Sequence, residues 1–331
     1  MFKLHTTEGK FFIQSHGQSI LDAGLLAGVP LPYSCKTGRC SSCKCKIVSG
    51  ESTATHAETG LSVEEKEQGW ILSCVRSASS DLLLEIDDLG NFTLPSVKTL
   101  PCRINALIAL TRDVVKVEVR LPPTSDFRFL PGQYVEIIGA NGVRRSYSIA
   151  KANAEDKILE FHIRAVEDGI MSSYWFGSAK VNDLLRLNGP LGTFFLRDTK
   201  NVDLIFLATG TGIAPVKAIL ESLSSFPKEL MPRSVSVYWG GRFLSELYLD
   251  VHALSVVDKY VPVLSRQTES WFGVRGYVQQ AVLADKPDLP NAMVYACGSD
   301  NMIHSAKKVL VEAGLPGRHF FSDAFVCSAV I

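Results

Sequence analysis

Residues 33–43 read YSCKTGRCSSC and contain three of the chain's eight cysteines. Cys35, Cys40 and Cys43 have the spacing C-x4-C-x2-C, and Cys74 stands further along the chain. This is the ligand spacing of one class of two-iron two-sulfur cluster. Such a cluster takes part in one-electron chemistry. The four cysteines therefore predict an electron-transfer centre.

Zinc is the main alternative for these cysteines. Zinc ligands usually come as two close pairs, and a trio plus one distant cysteine matches that pattern poorly. Gly38 permits a loop conformation that a side chain would oppose, and nearby hydroxyl and N–H groups could donate to the sulfur atoms. We expect the remaining cysteines Cys45, Cys102 and Cys327 not to be ligands.

The composition limits the class of protein. A chain of 331 residues with 46% hydrophobic residues is expected to form two or three domains. The net charge of zero argues against a nucleic-acid partner. The N-terminus has no basic-then-apolar signal pattern, and no apolar run reaches the length of a membrane span. We therefore expect a cytoplasmic protein without membrane insertion, in a compartment that keeps its cysteines reduced.

Charge is unevenly distributed along the chain. Residues 1–97 carry a net charge of −3, residues 98–200 carry +4 and residues 201–331 carry −1. Opposite charges on the first two segments would favour docking between them. Ordinary surface variation explains the difference equally well.

The N-terminal segment predicts a small α+β unit. Phe2–Thr6 and Lys10–Gln14 are predicted strands on either side of a turn. Gln18–Ala27 has apolar residues at helical spacing. The apolar run Trp70–Ser73 can bring the fourth cysteine towards the other three.

The middle segment alternates β-rich runs with Pro and Gly turns, which favours a small antiparallel barrel. It contains RRSYSIA at residues 144–150, in which Arg145 offers a planar donor fork suited to a pyrophosphate. Tyr147 offers a ring and Ser148 a hydroxyl. Downstream, Gly169 precedes a predicted helix, Ser172–Phe176, whose N-terminus is a suitable pyrophosphate site.

The C-terminal segment alternates strands and helices. Val202–Ala208 is wholly apolar, which indicates a buried parallel strand. TGTGIAP at residues 209–215 follows it and precedes a helix through Leu223. A strand, a Gly-rich turn and a helix N-terminus together form a cradle for nucleotide phosphates. The motif lacks the G-x-G-x-x-G pattern, so a standard Rossmann dehydrogenase is disfavoured.

Three further strands are predicted in this segment, at Ser234–Trp239, Tyr260–Leu264 and Asn291–Ala296. Ligands bind at the carboxyl ends of the strands in such sheets. The residues that follow these strands are Gly240 and Arg242, Ser265 and Arg266, and Cys297 and Gly298. The sequence therefore predicts a nucleotide site at that edge.

Taken in order, these motifs resemble the ferredoxin–flavin–nicotinamide reductases with an N-terminal cluster domain. Within that family, the chain is most similar to the CDP-6-deoxyglucoseen reductase (CDP-4-dehydro-6-deoxyglucose reductase) group. The resemblance depends on RSYS at 145–148, GTFF at 192–195, YWG at 238–240, YACGS at 295–299 and FSDAF at 321–325. It implies a multidomain fold with a β-grasp ferredoxin domain (1–92), an antiparallel β-barrel FAD domain (98–200) and an α/β parallel-sheet NAD(P)-binding domain (201–331).

The resemblance also assigns roles to residues. Ser148, Cys297 and Asp323 are implied to lie where nicotinamide and flavin exchange electrons. Contacts with FAD or the nicotinamide nucleotide are implied for Arg145, Ser146, Tyr147, Ser148, His162, Arg164, Gly169, Met171, Ser172, Gly210, Thr211, Gly212, Pro215, Gly240, Arg242, Ser265, Arg266, Cys297, Gly298, Met302 and Phe325. For His162 the implied contact is through the backbone. Six residues follow Phe325, so whether Phe325 stacks on the flavin as a terminal aromatic residue stays open.

The cofactors imply a reaction sequence. A nicotinamide delivers two electrons together and the cluster accepts one, so a flavin is required between them. The resemblance implies NADH as the donor. NADPH is possible as well, because Ser265 and Arg266, followed by Arg275, resemble a site for the 2′-phosphate.

The resemblance implies an electron-acceptor protein as partner. This would be an iron–sulfur and pyridoxamine-phosphate dehydratase that removes the C3 hydroxyl of CDP-4-dehydro-6-deoxyglucose. The alternative is the oxygenase of an aromatic-ring dioxygenase or multicomponent monooxygenase. A non-enzymatic redox or metal sensor would leave the flavin and nucleotide motifs unexplained.

Overall fold

The computed structural model of the chain describes residues 1–87, 89–90, 92–139, 142–267 and 270–325. Cys327 lies outside the described residues. The chain divides into two compact units. One contains residues 1–94 together with the residues from Asp323 on, and the other contains Pro95–Ser322.

Among the described residues of 1–94, the first unit has seven strands and two α-helices. These are β1 (Phe2–Thr6), β2 (Phe11–Gln14), α1 (Ile20–Leu26), β3 (Lys44–Ser49), β4 (Ser52–Ala54), α2 (Val63–Glu67), β5 (Trp70–Leu72), β6 (Arg76–Ala78) and β7 (Leu82–Glu85). The main sheet has the order β2-β1-β7-β3-β5, and β4 pairs with β6. Only β1 and β7 are parallel neighbours among the pairs described. The predicted α+β fold is confirmed, with β1 at its predicted bounds.

Helix α1 begins and packs as its sequence predicts. The Ser19 hydroxyl accepts a hydrogen bond from the backbone N–H of Asp22 at 3.0 Å, which is a standard N-terminal cap. Ile20 and Leu21 are fully buried in the core of this unit. A Cβ on Gly24 would lie 2.5 Å from the Leu31 side chain, so the absence of a side chain there permits close packing.

The second unit begins with an antiparallel sheet. Its elements are β8 (Lys98–Ala109), β9 (Val114–Arg120), β10 (Tyr134–Ile138), β11 (Arg144–Ser148), β12 (Ile158–Arg164), α3 (Ile170–Ser173) and β13 (Leu184–Leu191). The strand order is β11-β10-β13-β8-β9-β12, and every neighbouring pair is antiparallel. The chain just after edge strand β11 contacts the other edge strand, β12, where Ala150 N donates to Glu160 O at 2.8 Å. The predicted barrel-like fold is therefore confirmed.

The helix predicted at Ser172–Phe176 is confirmed, but it extends further at both ends. Helix α3 begins earlier, at Ile170, and continues after Ser173 as one wider π-helical turn, Tyr174–Ser178. The early start has a local cause, because the Ser172 hydroxyl accepts a hydrogen bond from Val166 N at 2.8 Å and closes the preceding turn.

The rest of the second unit forms a parallel sheet flanked by helices. Its elements are β14 (Asp203–Thr209), α4 (Ile213–Leu223), β15 (Ser234–Gly241), β16 (Lys259–Leu264), β17 (Val274–Arg275), α5 (Val278–Ala284), β18 (Ala292–Ser299), α6 (Asp300–Glu312) and β19 (Phe320–Phe325). The order is β17-β16-β15-β14-β18-β19, and the strands from β14 to β18 are parallel. The predicted α/β sheet is confirmed. Among the described residues, no helix is long and apolar enough to cross a membrane.

Candidate functional site

The four predicted cluster cysteines lie together as two pairs. Cys35 N donates to Cys40 Sγ at 3.4 Å, and Thr37 N donates to Cys35 Sγ at 3.4 Å. The side-chain hydrogen bond between Cys35 and Cys40 lowers the pKa of Cys35 to about 5 and raises the pKa of Cys40. The hydrogen bond between Cys43 and Cys74 likewise raises the pKa of Cys43 and lowers that of Cys74. The members of each pair therefore lie close enough to shift each other's pKa in opposite directions.

This donor set fits a two-iron cluster. Four cysteine thiolates hold such a cluster, two on each iron, and the chain presents two cysteine pairs. Cys40, Cys43 and Cys74 are buried, and Cys35 is partly exposed. A cluster held here supplies one-electron exchange.

The cysteine loop is supported by its neighbours. Gly38 has φ +76°, and a Cβ there would lie 2.5 Å from Ala57 O, so this position requires glycine. Glu58 is 6% exposed, accepts a hydrogen bond from Leu72 N at 2.8 Å and forms an ion pair with Arg76 at 2.9 Å. This buried carboxylate orders the chain on both sides of Cys74, a role that sequence analysis missed.

The cysteines predicted as non-ligands are buried in the cores of their units. Cys45 is 0% exposed and Cys102 is 2% exposed. Burial raises the pKa of both thiols to about 12. Both are therefore protonated near neutral pH, unlike a metal ligand.

Strand β11 carries the predicted flavin motif. Arg145 and Tyr147 are partly buried, Ser146 is exposed and Ser148 is buried. Trp175 Nε1 donates to the Tyr147 hydroxyl at 2.9 Å, with the two rings edge to face at 6.1 Å. Burial raises the pKa of Tyr147 to about 12, so its hydroxyl stays neutral. Trp175 thus fixes the predicted flavin-facing tyrosine, a role that sequence analysis missed.

The predicted pyrophosphate site lies at α3. Gly169 directly precedes this helix and has an extended backbone conformation. Met171 is buried, and its sulfur would lie 2.8 Å from a Cβ on Gly139. Ser172 is engaged with Val166 N. Because α3 is a single turn, its helix dipole is smaller than the prediction assumed.

The side chains of His162 and Arg164 bind protein groups. His162 Nδ1 lies 3.1 Å from the Tyr248 hydroxyl. Arg164 forms ion pairs with Asp113 at 2.8 Å and Glu246 at 3.4 Å. A flavin contact at His162 would therefore come from its backbone, as the resemblance implies.

The predicted nucleotide cradle is assembled from two strand ends. The turn Gly210–Gly212 connects β14 to α4, in whose first turn Pro215 is buried. Thr211 in this turn is also buried. A Cβ on Gly298 would lie 2.2 Å from Thr209 Oγ1, and Gly298 has φ +136°. The Gly-rich turn and the Cys297–Gly298 pair are therefore in direct contact.

The ends of β15 and β16 meet at the same edge of the sheet. Ser265 N donates to Gly241 O at 3.0 Å, and Arg266 N donates to Arg242 O at 3.0 Å. Arg242 Nε donates to Glu246 Oε1 at 2.6 Å. Gly240 faces α5, where a Cβ would lie 3.0 Å from the Val278 side chain. The structure thus brings together the predicted nucleotide residues of both strands.

Four predicted residues near the C-terminus differ in exposure. Cys297 is fully buried and Met302 is 8% exposed, whereas Phe325 is 37% exposed. Asp323 is 5% exposed, and its carboxylate accepts a hydrogen bond from the Ser34 hydroxyl at 2.5 Å. Both residues belong to the first compact unit. Asp323, which the resemblance implies to act beside the flavin, is thus hydrogen-bonded to Ser34, the residue before Cys35.

Comparison with known proteins agrees with this arrangement. The 2Fe-2S iron-sulfur cluster binding domain family matches residues 5–79, the oxidoreductase FAD-binding domain family matches residues 101–196 and the oxidoreductase NAD-binding domain family matches residues 206–308. The CDP-6-deoxy-L-threo-D-glycero-4-hexulose-3-dehydrase reductase of Yersinia pestis is 40% identical over 98% of both chains. The chain belongs to the iron–sulfur flavoprotein reductases. As a member of this family it is an NAD(P)H-dependent oxidoreductase that uses FAD and a 2Fe-2S cluster.

Other reductases of the family are similar over nearly the whole chain. The xylene/toluene monooxygenase electron transfer component XylA of Pseudomonas putida is 32% identical over 96% of this chain and 91% of its own. The solved structure of the Amycolatopsis cytochrome P450 reductase GcoB has a TM-score of 0.75 and 28% identity, covering 98% of this chain and 99% of its own.

Proposed function

We propose that this reductase passes electrons from NADH through FAD and the 2Fe-2S cluster to a dehydratase that removes the C3 hydroxyl of CDP-4-dehydro-6-deoxyglucose. The observation that supports this acceptor is the 40% identity, over 98% of both chains, to a reductase named for a CDP-hexulose dehydrase. The similarity extends through all three cofactor-binding segments.

The chain's own residues support each stage of the transfer. The nucleotide would bind at the strand ends that carry Gly210–Gly212, Gly240 and Gly298, where a Cβ on Gly212 or Gly298 would clash with neighbouring backbone atoms. Tyr147, held by Trp175, and the neighbouring Ser148 would orient the flavin. The two cysteine pairs would hold the cluster. The flavin, when bound, can take two electrons together and release them singly.

The experiment is a reconstituted anaerobic assay. The purified reductase is mixed with NADH, a candidate dehydratase loaded with pyridoxamine phosphate, and the CDP-sugar substrate. We expect NADH oxidation that depends on both the dehydratase and the sugar, with the C3-deoxygenated sugar as product. The matched control is the Cys40→Ser reductase, which lacks a cluster ligand. NADH oxidation that does not respond to the dehydratase would remove this acceptor from consideration.

An oxygenase acceptor is the second candidate. The 32% identity to XylA, over 96% of this chain, supports it. The same assay with an oxygenase component and its aromatic substrate separates the two, because the preferred acceptor raises the rate of NADH oxidation more at equal concentration.

A further inference from the structure

Strand β12 has one apolar and one polar face. Phe161 and Ile163 are buried in the core of the barrel. Glu160, His162 and Arg164 alternate with them and therefore project from the opposite face. The partners of these three polar side chains include residues of the nucleotide-binding segment, within the same compact unit.

Lys217 of α4 is the centre of one group of these contacts. Its Nζ donates to Ala150 O at 2.8 Å and forms ion pairs with Glu160 at 3.2 Å and with Glu221 at 2.6 Å. Glu221 in turn accepts a hydrogen bond from Ala152 N at 3.2 Å. The Lys217 side chain is only 14% exposed. Two residues of α4 thus bind the barrel through both backbone and side-chain groups.

Tyr248 is the centre of a second group. Its hydroxyl lies 3.1 Å from His162 Nδ1, and its ring meets Trp239 edge to face at 5.2 Å. Trp239 is fully buried, and its Nε1 donates to Gly210 O at 3.0 Å. A continuous series of contacts therefore extends from the barrel strand to the predicted phosphate-binding turn.

Glu160 joins the two groups. His162 Nε2 lies 2.9 Å from Glu160 Oε1, which also binds Lys217. Burial opposes ionisation of Glu160, but the hydrogen bond from His162 and the charge of Lys217 lower its pKa to about 2. Burial also lowers the pKa of His162. A neutral His162 imidazole can donate from Nε2 to Glu160 and accept at Nδ1 from Tyr248. All three side chains then have hydrogen-bond partners.

We propose that Glu160, His162, Lys217 and Tyr248 form a latch that fixes the nucleotide-binding segment on the flavin-binding barrel and so positions bound nicotinamide against the flavin. The four residues are positioning residues. Hydride transfer demands close and oriented approach of the two rings. The latch holds α4 and Trp239, both of which contact the phosphate turn, so a shift of the latch would move the nucleotide relative to the barrel. This role is independent of the protein that accepts the electrons.

The test uses Lys217→Met and Tyr248→Phe in the FAD-loaded, cluster-loaded enzyme. Tyr238→Phe is the matched control, because the Tyr238 hydroxyl bonds Asp285 at 2.6 Å within the nucleotide-binding segment alone. In stopped flow, Lys217→Met should lower the limiting rate of flavin reduction by about tenfold or more, since a misplacement of about 1 Å can cost on the order of 10²-fold. The dissociation constant for NADH and the FAD content should stay near the wild-type values.

Two further measurements separate positioning from general loss of structure. Hydrogen exchange should quicken at the backbone amides of β12 and α4 in both latch variants and not in Tyr238→Phe. The Lys217→Met/Tyr248→Phe double variant should lose little more rate than Lys217→Met alone, because the two side chains act through Glu160. The latch would be overturned by unchanged limiting rates of flavin reduction in both single variants, or by fully additive rate losses in the double variant. Hydrogen exchange that quickens equally in Tyr238→Phe would also overturn it.

Discussion

Gly212 meets the carbonyl oxygen of Cys297 so closely that a Cβ on Gly212 would lie 2.2 Å from that oxygen. The backbone of Gly212 has φ −59°, which any residue can adopt, so the requirement for glycine comes from the neighbouring strand. The turn after β14 and the end of β18 therefore hold each other in place. The predicted nucleotide site depends on this contact.

The first prediction follows from that contact. Gly212→Ala should force the turn and β18 apart and lower the free energy of unfolding by about 1–3 kcal/mol, as overpacking does. The NADH dissociation constant should rise as well. Denaturant unfolding and NADH titration measure the two effects. Gly317→Ala is the control, because a Cβ there meets nothing within 4 Å.

Cys40→Ser should remove the cluster and leave the flavin. Cys40 is 3% exposed and is hydrogen-bonded to Cys35. Serine at this position therefore disrupts one of the two cysteine pairs. The visible spectrum should lose its iron–sulfur bands, while NADH should still bleach the flavin. Cys45→Ala should keep the cluster. Loss of FAD from Cys40→Ser would contradict the assignment of the cluster and flavin to separate segments.

Arg145→Ala should lower the FAD content of the purified enzyme, because a charge-assisted contact with the pyrophosphate is lost. The adjacent Arg144 provides a matched control, since it is exposed and pairs with Glu136 at 3.2 Å. Arg144→Ala should retain FAD. Flavin absorbance per protein, measured after dialysis, distinguishes the two variants, and equal flavin in both would mean that Arg145 does not bind it.

Cys297→Ala should slow flavin reduction by NADH while bound FAD stays at the wild-type level. The residue is fully buried at the end of β18, beside the phosphate turn. Removing its thiol would loosen the surface against which we predict the nicotinamide to lie, so the nicotinamide and the flavin would approach each other less closely. Stopped-flow absorbance measures the rate. A rate equal to that of wild type would assign Cys297 to packing alone.

Arg266→Ala tests the choice of nicotinamide. Arg266 N binds Arg242 O, so its side chain begins beside the predicted nucleotide site, and it could donate to the 2′-phosphate of NADPH. We expect NADH to be the better donor, and Arg266→Ala to lower kcat/KM for NADPH more than for NADH. Arg275 belongs to the same predicted 2′-phosphate pattern, but it already donates to Trp271 O at 3.2 Å, so we expect Arg275→Ala to have the smaller effect. Equal losses with both donors would show that Arg266 does not read the 2′ position.

The sequence was most informative where one local pattern carries the chemistry. The cysteine spacing and the Gly-rich turn after β14 are both local, and the structure places the turn between the predicted strand and the predicted helix. The bonds of Lys217 to Ala150, of Tyr248 to His162 and of Asp323 to Ser34 join residues far apart in the chain. No periodicity or spacing reports such pairs, because they arise only when separate elements pack.

The alternation along β12 also limits how this reductase can be recombined with its relatives. A chimaera that joins this chain's barrel to a relative's nucleotide-binding segment keeps Glu160 and His162 but loses this chain's Lys217 and Tyr248. A junction near residue 200 separates both pairs even if it leaves every strand intact. Grafts should therefore be chosen by the match between these pairs, and a donor that lacks either partner would leave a buried polar group of β12 unsatisfied.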